Sequence, residues 1–300
     1  MVTAGPYGWI VDDDALDFYR TPAALSALPD DRALGPVPVD VDGQRRAVQG
    51  LLVHRDLAGL YGVAGDDVRV DEQHLRSVGD VLARARELSP EPLAVARPPG
   101  ERVLGICRHF ALLQTAFLRD RGVPARVRCG FSSYFQAGKW VDHWITERWG
   151  DGRWVRDDPQ VDDLVAARFG LGFDAHDQPP GRFLTGGEAW ESIRAGDADP
   201  QDFGIFDMWG EAFVSGNVIN DFACLNKVEL LPWDGWGMKI PPFGPVPDDM
   251  AAVLDDVAAL ASRDDTGAIR ARYEADDRLR VPSDITSFRD GLAVPVHLEL

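Results

Sequence analysis

The stretch GICRHFALLQTAFLRDRGVPAR, residues 105–126, sets a cysteine at the mouth of a periodic helix. Ile106, Phe110, Leu113 and Phe117 fall on one stripe at helical spacing, and Gly122 with Pro124 two residues on supplies a stop. Cys107 therefore lies in the first turn, where unpaired backbone N–H groups and the positive end of the helix dipole favour thiolate over thiol. The same N–H groups suit a developing oxyanion, so one helix end can serve both a nucleophile and a tetrahedral intermediate.

Working outward, Leu75, Val78, Val81, Leu82, Ala85 and Leu88 recur at helical spacing and predict a helix over 71–88, which SPEPLAVARPPG (89–100) breaks before the cysteine segment. Downstream, ARVRCGF (125–131) alternates, with Ala125, Val127, Cys129 and Phe131 on one face and Arg126 and Arg128 on the other, as in a half-buried strand. DHWITERW (142–149) and RWVRDD (153–158) flank Gly150-Asp151-Gly152 and read as antiparallel strands joined by a tight hairpin. Further on, DQPPGR (177–182) and LPWDGWGMKIPPFGPVPDD (231–249) read as ordered irregular connections, and NVINDFACLNKVELLPWDGWG (217–237) shows no assignable period. Helices over 248–261 and 266–276 then lead to a polar tail.

At 300 residues, 45% of them hydrophobic, the chain suits one large domain or two small ones. A formal charge of −18 excludes nucleic acid, and no basic run suggests an anionic membrane. The opening MVTAGPYGWIVDDD lacks the basic and apolar regions of a secretory leader, so a soluble, cytoplasmic protein is expected. Cys107, Cys129 and Cys224 are odd in number and widely spaced, which points to reduced thiols. Cys129, alternating with Val127 and Phe131, reads as core filling, and Cys224 reads the same way. The acidic runs VDDD, DDPQVDD and DADPQD lack the ligand spacing and glycine of an EF-hand, so they read as solvated faces and no metal or other cofactor is expected.

A nucleophilic cysteine needs a base. His109 lies about 200° round the helix axis from Cys107, so the two side chains diverge, and a Cys-x-His metal pair fails for the same reason. His143 begins a strand of the sheet that follows the cysteine helix, with an acid across the hairpin. A two-residue Gly150-Asp151 loop sets His143 opposite Asp158, whereas a three-residue loop through Gly152 puts Asp157 on the face of His143. Spacing leaves both open. Trp144, beside His143, is a candidate for a cleft mouth that binds substrate, and Trp149 and Trp154 read as sheet packing.

Gly-x-Cys opening a helix, GVPAR leading into a strand, HW beginning the next and WVRDDPQ ending its partner resemble the transglutaminase-like superfamily, over roughly 101–163. The resemblance implies an α+β fold: a papain-like core over 101–165, with the cysteine helix packed on an antiparallel sheet, a mostly helical N-terminal part (1–100) and a C-terminal extension (166–300) of irregular aromatic-rich segments and helices. It also implies Asp158 as the third member of a Cys107–His143–Asp158 triad. Acyl transfer through a thioester follows, on a peptide, amide or thioester substrate with an amine as acceptor. A cysteine protease or amidase with the same triad, and an inactive binding module on the same fold, are the alternatives.

Overall fold

The computed structural model describes residues 13–30, 35–65, 68–239, 245–289 and 291–300. The opening residues 1–12, with half of the VDDD run, and the IPPFG portion (240–244) of the aromatic-rich connection lie outside the described residues. The chain forms two compact units that interleave along the sequence.

One unit comprises Leu16–Arg126 and Ile145–Asp177. It holds most of α1 (Asp13–Arg20), then α2 (Val41–Leu51), β1 (Leu52–His54), α3 (Val78–Leu88), β2 (Val103–Gly105) and α4 (Cys107–Asp120). β3 (Ala125–Ser132) starts in it, β4 (Trp140–Gly150) ends in it, and β5 (Arg153–Asp157) and α5 (Asp163–Phe169) complete it. β1 pairs in parallel with β2, and β4 pairs antiparallel with β5. The cysteine helix α4 is the axis of this unit: every residue from Cys107 to Arg119 is buried, under α2, α3 and β2. From β4, the Thr146 hydroxyl donates to the Ala111 carbonyl of α4 at 3.0 Å.

The expected helix over 71–88 is broken. Val70–His74 is a 3₁₀ turn, Leu75 is extended, and α3 starts only after Ser77. Ser77 and Asp80 form a reciprocal capping box, each side chain accepting the other's backbone N–H at 3.0 Å, which restarts the helix at a new N-terminus. Glu72 fixes the turn before it: its buried carboxylate accepts the Leu104 N–H of β2 at 2.7 Å and pairs with Arg69 and Arg84, each at 2.7 Å.

The other unit comprises, of the described residues, those in Val127–Trp144 and Gln178–Leu300, with residues 13–15. It adds β6 (Phe183–Thr185), α6 (Gly186–Ala195), β7 (Phe203–Ile205), β8 (Met208–Trp209), α7 (Glu211–Leu225), β9 (Asp234–Gly235), α8 (Asp248–Arg263), α9 (Thr266–Glu274), β10 (Asp284–Arg289) and β11 (Leu292–His297). Its main sheet runs β6-β3-β4-β7-β8. β4 and β7 pair in parallel, so the sheet is mixed rather than antiparallel throughout. α8 and α9 fall where their start and stop signals put them, and α7 takes in the first part, 217–225, of the stretch that showed no period. The tail expected to be polar is a β10–β11 hairpin: Ile285 and Ser287 turn inward, between more accessible neighbours, and β10 also pairs with β9.

β3 is buried at all eight positions, not half-buried. Its arginines are matched from inside. Arg126 meets Glu147 at 2.8 Å in the first unit, where Arg156 shares the same carboxylate at 3.2 Å. Arg128 makes a two-pronged pair with Asp221 of α7 at 2.8 and 2.7 Å in the second. The fold is thus α+β, with the cysteine helix laid on sheet. Among the described residues no helix is long and apolar enough to cross a membrane.

Because Arg126 and Glu147 are both buried, removing one partner strands the other charge. Glu147→Ala is expected to cost about 3–5 kcal/mol in urea unfolding, whereas the double replacement Arg126→Met with Glu147→Leu recovers most of it. Equal losses in the single and double variants would mean that the pair matters for its shape and not for its charge.

Candidate active site

Cys107 is the first residue of α4, following Ile106 in extended conformation, and is 7% exposed. Ile106 carries no oxygen with which to cap the helix. His109 does the work in its place: Nδ1 accepts the Ile106 N–H at 3.1 Å, while Nε2 donates to the Leu75 carbonyl at 2.8 Å. A Cβ on Gly105 would lie 3.0 Å from the His109 Cβ, so the glycine leaves room for the ring. Burial, then the neighbouring Arg108 charge, pushes His109 down to about 3 against the pull of its bond to Leu75. His109 is a neutral structural cap, with its two nitrogens fully engaged away from the thiol. No acid lies in the first turn of α4, and the buried Arg108 adds positive charge there, so the helix end keeps its preference for an anion.

Cys129 on β3 and Cys224 on α7 are both fully buried. Burial, then the charge of Asp142, pushes the Cys129 thiol well up, which makes it a poor nucleophile. Its backbone N–H donates to Asp221 Oδ1 at 3.0 Å, within the Arg128 ion pair.

His143 sits on β4, 2% exposed, with two rings edge-on to it: Phe135 at 4.8 Å and Tyr134 at 6.0 Å between centroids. Alternation along β4 turns Asp142 and Trp144 to the opposite face. Asp142 Oδ1 accepts from Asn217 Nδ2 of α7 at 2.7 Å, and the same amide nitrogen donates to the Gly130 carbonyl at 3.3 Å. Burial pushes the Asp142 carboxyl up to about 6, against the pull of Asn217, His143 and Lys239. Trp144, expected at a cleft mouth, is 1% exposed and belongs to the interior, because the residue next to His143 on a strand points away from it.

The hairpin register differs from both expected alternatives. Gly150 pairs with Arg153, Trp149 with Trp154 and Thr146 with Asp157, and the two-residue turn is Asp151-Gly152. Both turn residues have positive φ, 51° and 75°, the geometry that matches the twist of the flanking strands. Trp149 and Trp154 pack on each other at 5.3 Å, and the Arg126 guanidinium lies 4.1 Å from the Trp154 ring.

Asp157 closes β5 as the hub of an ion cluster. It takes two bonds from Arg45 at 3.2 and 3.0 Å, one from Arg148 at 3.3 Å and one from His176 Nδ1 at 3.1 Å. Burial raises its carboxyl, but the His176 bond and the Arg45 charge win and hold it below the usual carboxylate range. Asp158, also fully buried, accepts the Gln160 N–H at 3.0 Å and donates its own N–H to the Ala175 carbonyl at 2.9 Å. Gln49 of α2 holds the next residues through the Pro159 and Val161 carbonyls. DDPQVDD is therefore not a solvated face: Asp157 and Asp158 are buried, and Asp162 caps α5 and accepts the Tyr61 hydroxyl at 2.8 Å. Cys107 and Asp158 belong to one unit and His143 to the other. Among the described residues no group of three or more His, Cys, Asp or Glu is arranged to hold a metal.

Residues 83–159 match the family model of the transglutaminase-like superfamily. The matched segment takes in α4, β3, β4, β5 and the residues Cys107, His143 and Asp158. The chain thus carries a transglutaminase-like segment. Among solved structures, it is similar to a candidate cysteine protease from Cytophaga hutchinsonii, at 19% identity and a TM-score of 0.22 over 53% of this chain and 45% of that one. No curated protein matches it.

The neutral cap has a pH signature. His109 is held near 3 in the native state but titrates near its ordinary 6.5 when unfolded, so unfolding takes up a proton as pH falls below about 6.5. Its contribution is fully present above that pH. Between pH 6 and 5 it is expected to be lost at about 1.4 kcal/mol per pH unit. Urea midpoints of the wild type and His109→Gln, compared across that window, should converge as pH drops; parallel curves would show that His109 is not the buried neutral cap.

Proposed function

We propose that the protein is a transglutaminase-like thiol enzyme in which Cys107 attacks an amide or thioester carbonyl, His143 carries the protons and Asp158 orients the imidazole. The observation that carries this reading is the position of Cys107 at the N-terminus of a buried helix inside the matched segment. Sγ attacks the acyl carbon, the oxyanion draws on the N–H groups of the first turn, and His143 delivers a proton to the leaving nitrogen or sulfur. The resulting thioester is resolved by an amine acceptor, with His143 now taking the proton. Three cysteines outside any disulfide suit a reducing compartment, and we place the protein in the cytoplasm.

The ion cluster supports Asp158 over Asp157 as orienter. Asp157 is already shared among Arg45, Arg148 and His176, a structural commitment that leaves it no role at the imidazole. Asp158→Asn is therefore expected to keep the melting temperature and depress turnover by orders of magnitude. Asp157→Asn should do the reverse, lowering the melting temperature while turnover per folded molecule stays close to wild type at low temperature. The opposite split would reassign the orienter.

Transfer and hydrolysis separate in the products. With an acyl donor found by trapping on Cys107 and a primary amine added, the amide-to-acid ratio should rise with amine concentration and vanish in Cys107→Ala. Acid dominating at every amine concentration, still dependent on Cys107, makes the protein a thiol hydrolase. No acylation of Cys107 by any donor makes it a binding module.

A further inference from the structure

The loop between β3 and β4 is fastened so that it presents aromatic surface to His143. At one end the Ser133 N–H donates to the Arg182 carbonyl at 3.0 Å, and its hydroxyl donates to the Gly181 carbonyl at 3.2 Å. Gln178 Nε2 donates to the Tyr134 hydroxyl at 3.2 Å. At the other end, Lys139 Nζ donates to the Gln201 carbonyl and Asp202 Oδ1 at 3.0 and 2.9 Å. Between these anchors Tyr134 is buried and packs on Phe135 at 4.6 Å, and Phe135 is half-buried with its ring 4.8 Å from the imidazole. The wall is preorganised and keeps part of its apolar face open.

A base must come within about 2.6–3.2 Å of the nitrogen whose proton it moves, so the substituent on that nitrogen begins beside the imidazole. Beside this imidazole, Phe135 is the partly open surface. A polar substituent there would shed water against a ring that offers it no hydrogen bond, whereas an aryl or alkyl group gains burial and edge-to-face contact. We propose that Phe135, backed by Tyr134, forms the subsite for the nitrogen partner of the acyl group, and that the acceptor is a primary amine bearing an apolar substituent.

This rests on the reading of His143 as the base acting at Cys107. In the step concerned, the amine nitrogen forms a bond to the thioester carbon, His143 removes one of its protons, and the C–S bond breaks. Sγ leaves with the electron pair and recovers that proton from the imidazolium, so thioester and amine become amide and thiol.

The test acetylates the protein with p-nitrophenyl acetate and follows the adduct on Cys107 by peptide mass spectrometry. The acetyl group is then partitioned between water and either benzylamine or 2-methoxyethylamine, which have similar basicity. Benzylamine should be captured about tenfold better by the wild type, the discrimination a well-fitted apolar group commands. Phe135→Ala should bring benzylamine down to the level of its polar counterpart, Phe135→Leu should keep part of the preference, and Phe206→Ala, at an aromatic 70% exposed on another turn, should keep all of it. Equal capture of the two amines by the wild type overturns the proposal, as does a benzylamine preference that survives in Phe135→Ala. An acetyl group that never reaches Cys107 instead overturns the catalytic reading beneath it.

Discussion

A helix buried from Cys107 to Arg119 cannot leave its first N–H groups to water, yet a carboxylate cap at α4 would set a negative charge beside the Cys107 thiol. The His109 imidazole meets both demands. It satisfies the Ile106 N–H from one turn inside the helix and spends its other nitrogen on Leu75, so the cap brings in no negative charge. The neutral ring is possible because Gly105 allows it to fold back and because burial disfavours its protonation. The break in the upstream helix belongs to the same arrangement, since an unbroken helix through Leu75 would keep that carbonyl for its own ladder.

Charge inside this acidic protein is arranged in matched sets. Glu72 with Arg69 and Arg84, Glu147 with Arg126 and Arg156, Asp157 with Arg45 and Arg148, and Asp221 with Arg128 each place a buried carboxylate against guanidinium. The planar fork of arginine suits such sites, which ask for two donors at once. Two of these pairs tie together distant parts of the chain: Arg45 reaches Asp157 and Arg128 reaches Asp221 across roughly a hundred residues. The excess of negative charge is left mostly to surface positions.

The parts legible in the sequence are those where one face differs from the other. α4 was readable from its stripe, α8, α9 and the existence of the β4–β5 hairpin from start, stop and turn signals, and the thiol at the helix mouth and the diversion of His109 followed from helix geometry. α7 was not, because Asn217, Asn220 and Asp221 are buried beside Val218 and Phe222, and a helix covered on all sides has no polar stripe to find. The hairpin register slipped because Gly-Asp-Gly offers three nearly equivalent turns; Asp151 taking positive φ decides it, and that register sets Trp149 on Trp154 and Glu147 beside Arg156. Trp144 was misplaced by reading nearness in sequence as nearness in space. Phe135 went unremarked because its loop has no period, though two adjacent aromatics between two strands were a signal available to be weighed.

The two arginines of β3 also govern how the chain can err while folding. A strand that slides by two residues keeps every side chain on its own face, so hydrophobic patterning cannot detect the mistake. Here Arg126 and Arg128 stand two apart with different addressees, Glu147 and Asp221, drawn from distant parts of the chain. A two-residue slide would leave a buried acid opposite an apolar residue on one side and send an arginine out of its socket on the other, an error heavy enough to reverse itself. Paired charges in this strand thus act as a proofreading code for register, written where a purely aliphatic strand would have none.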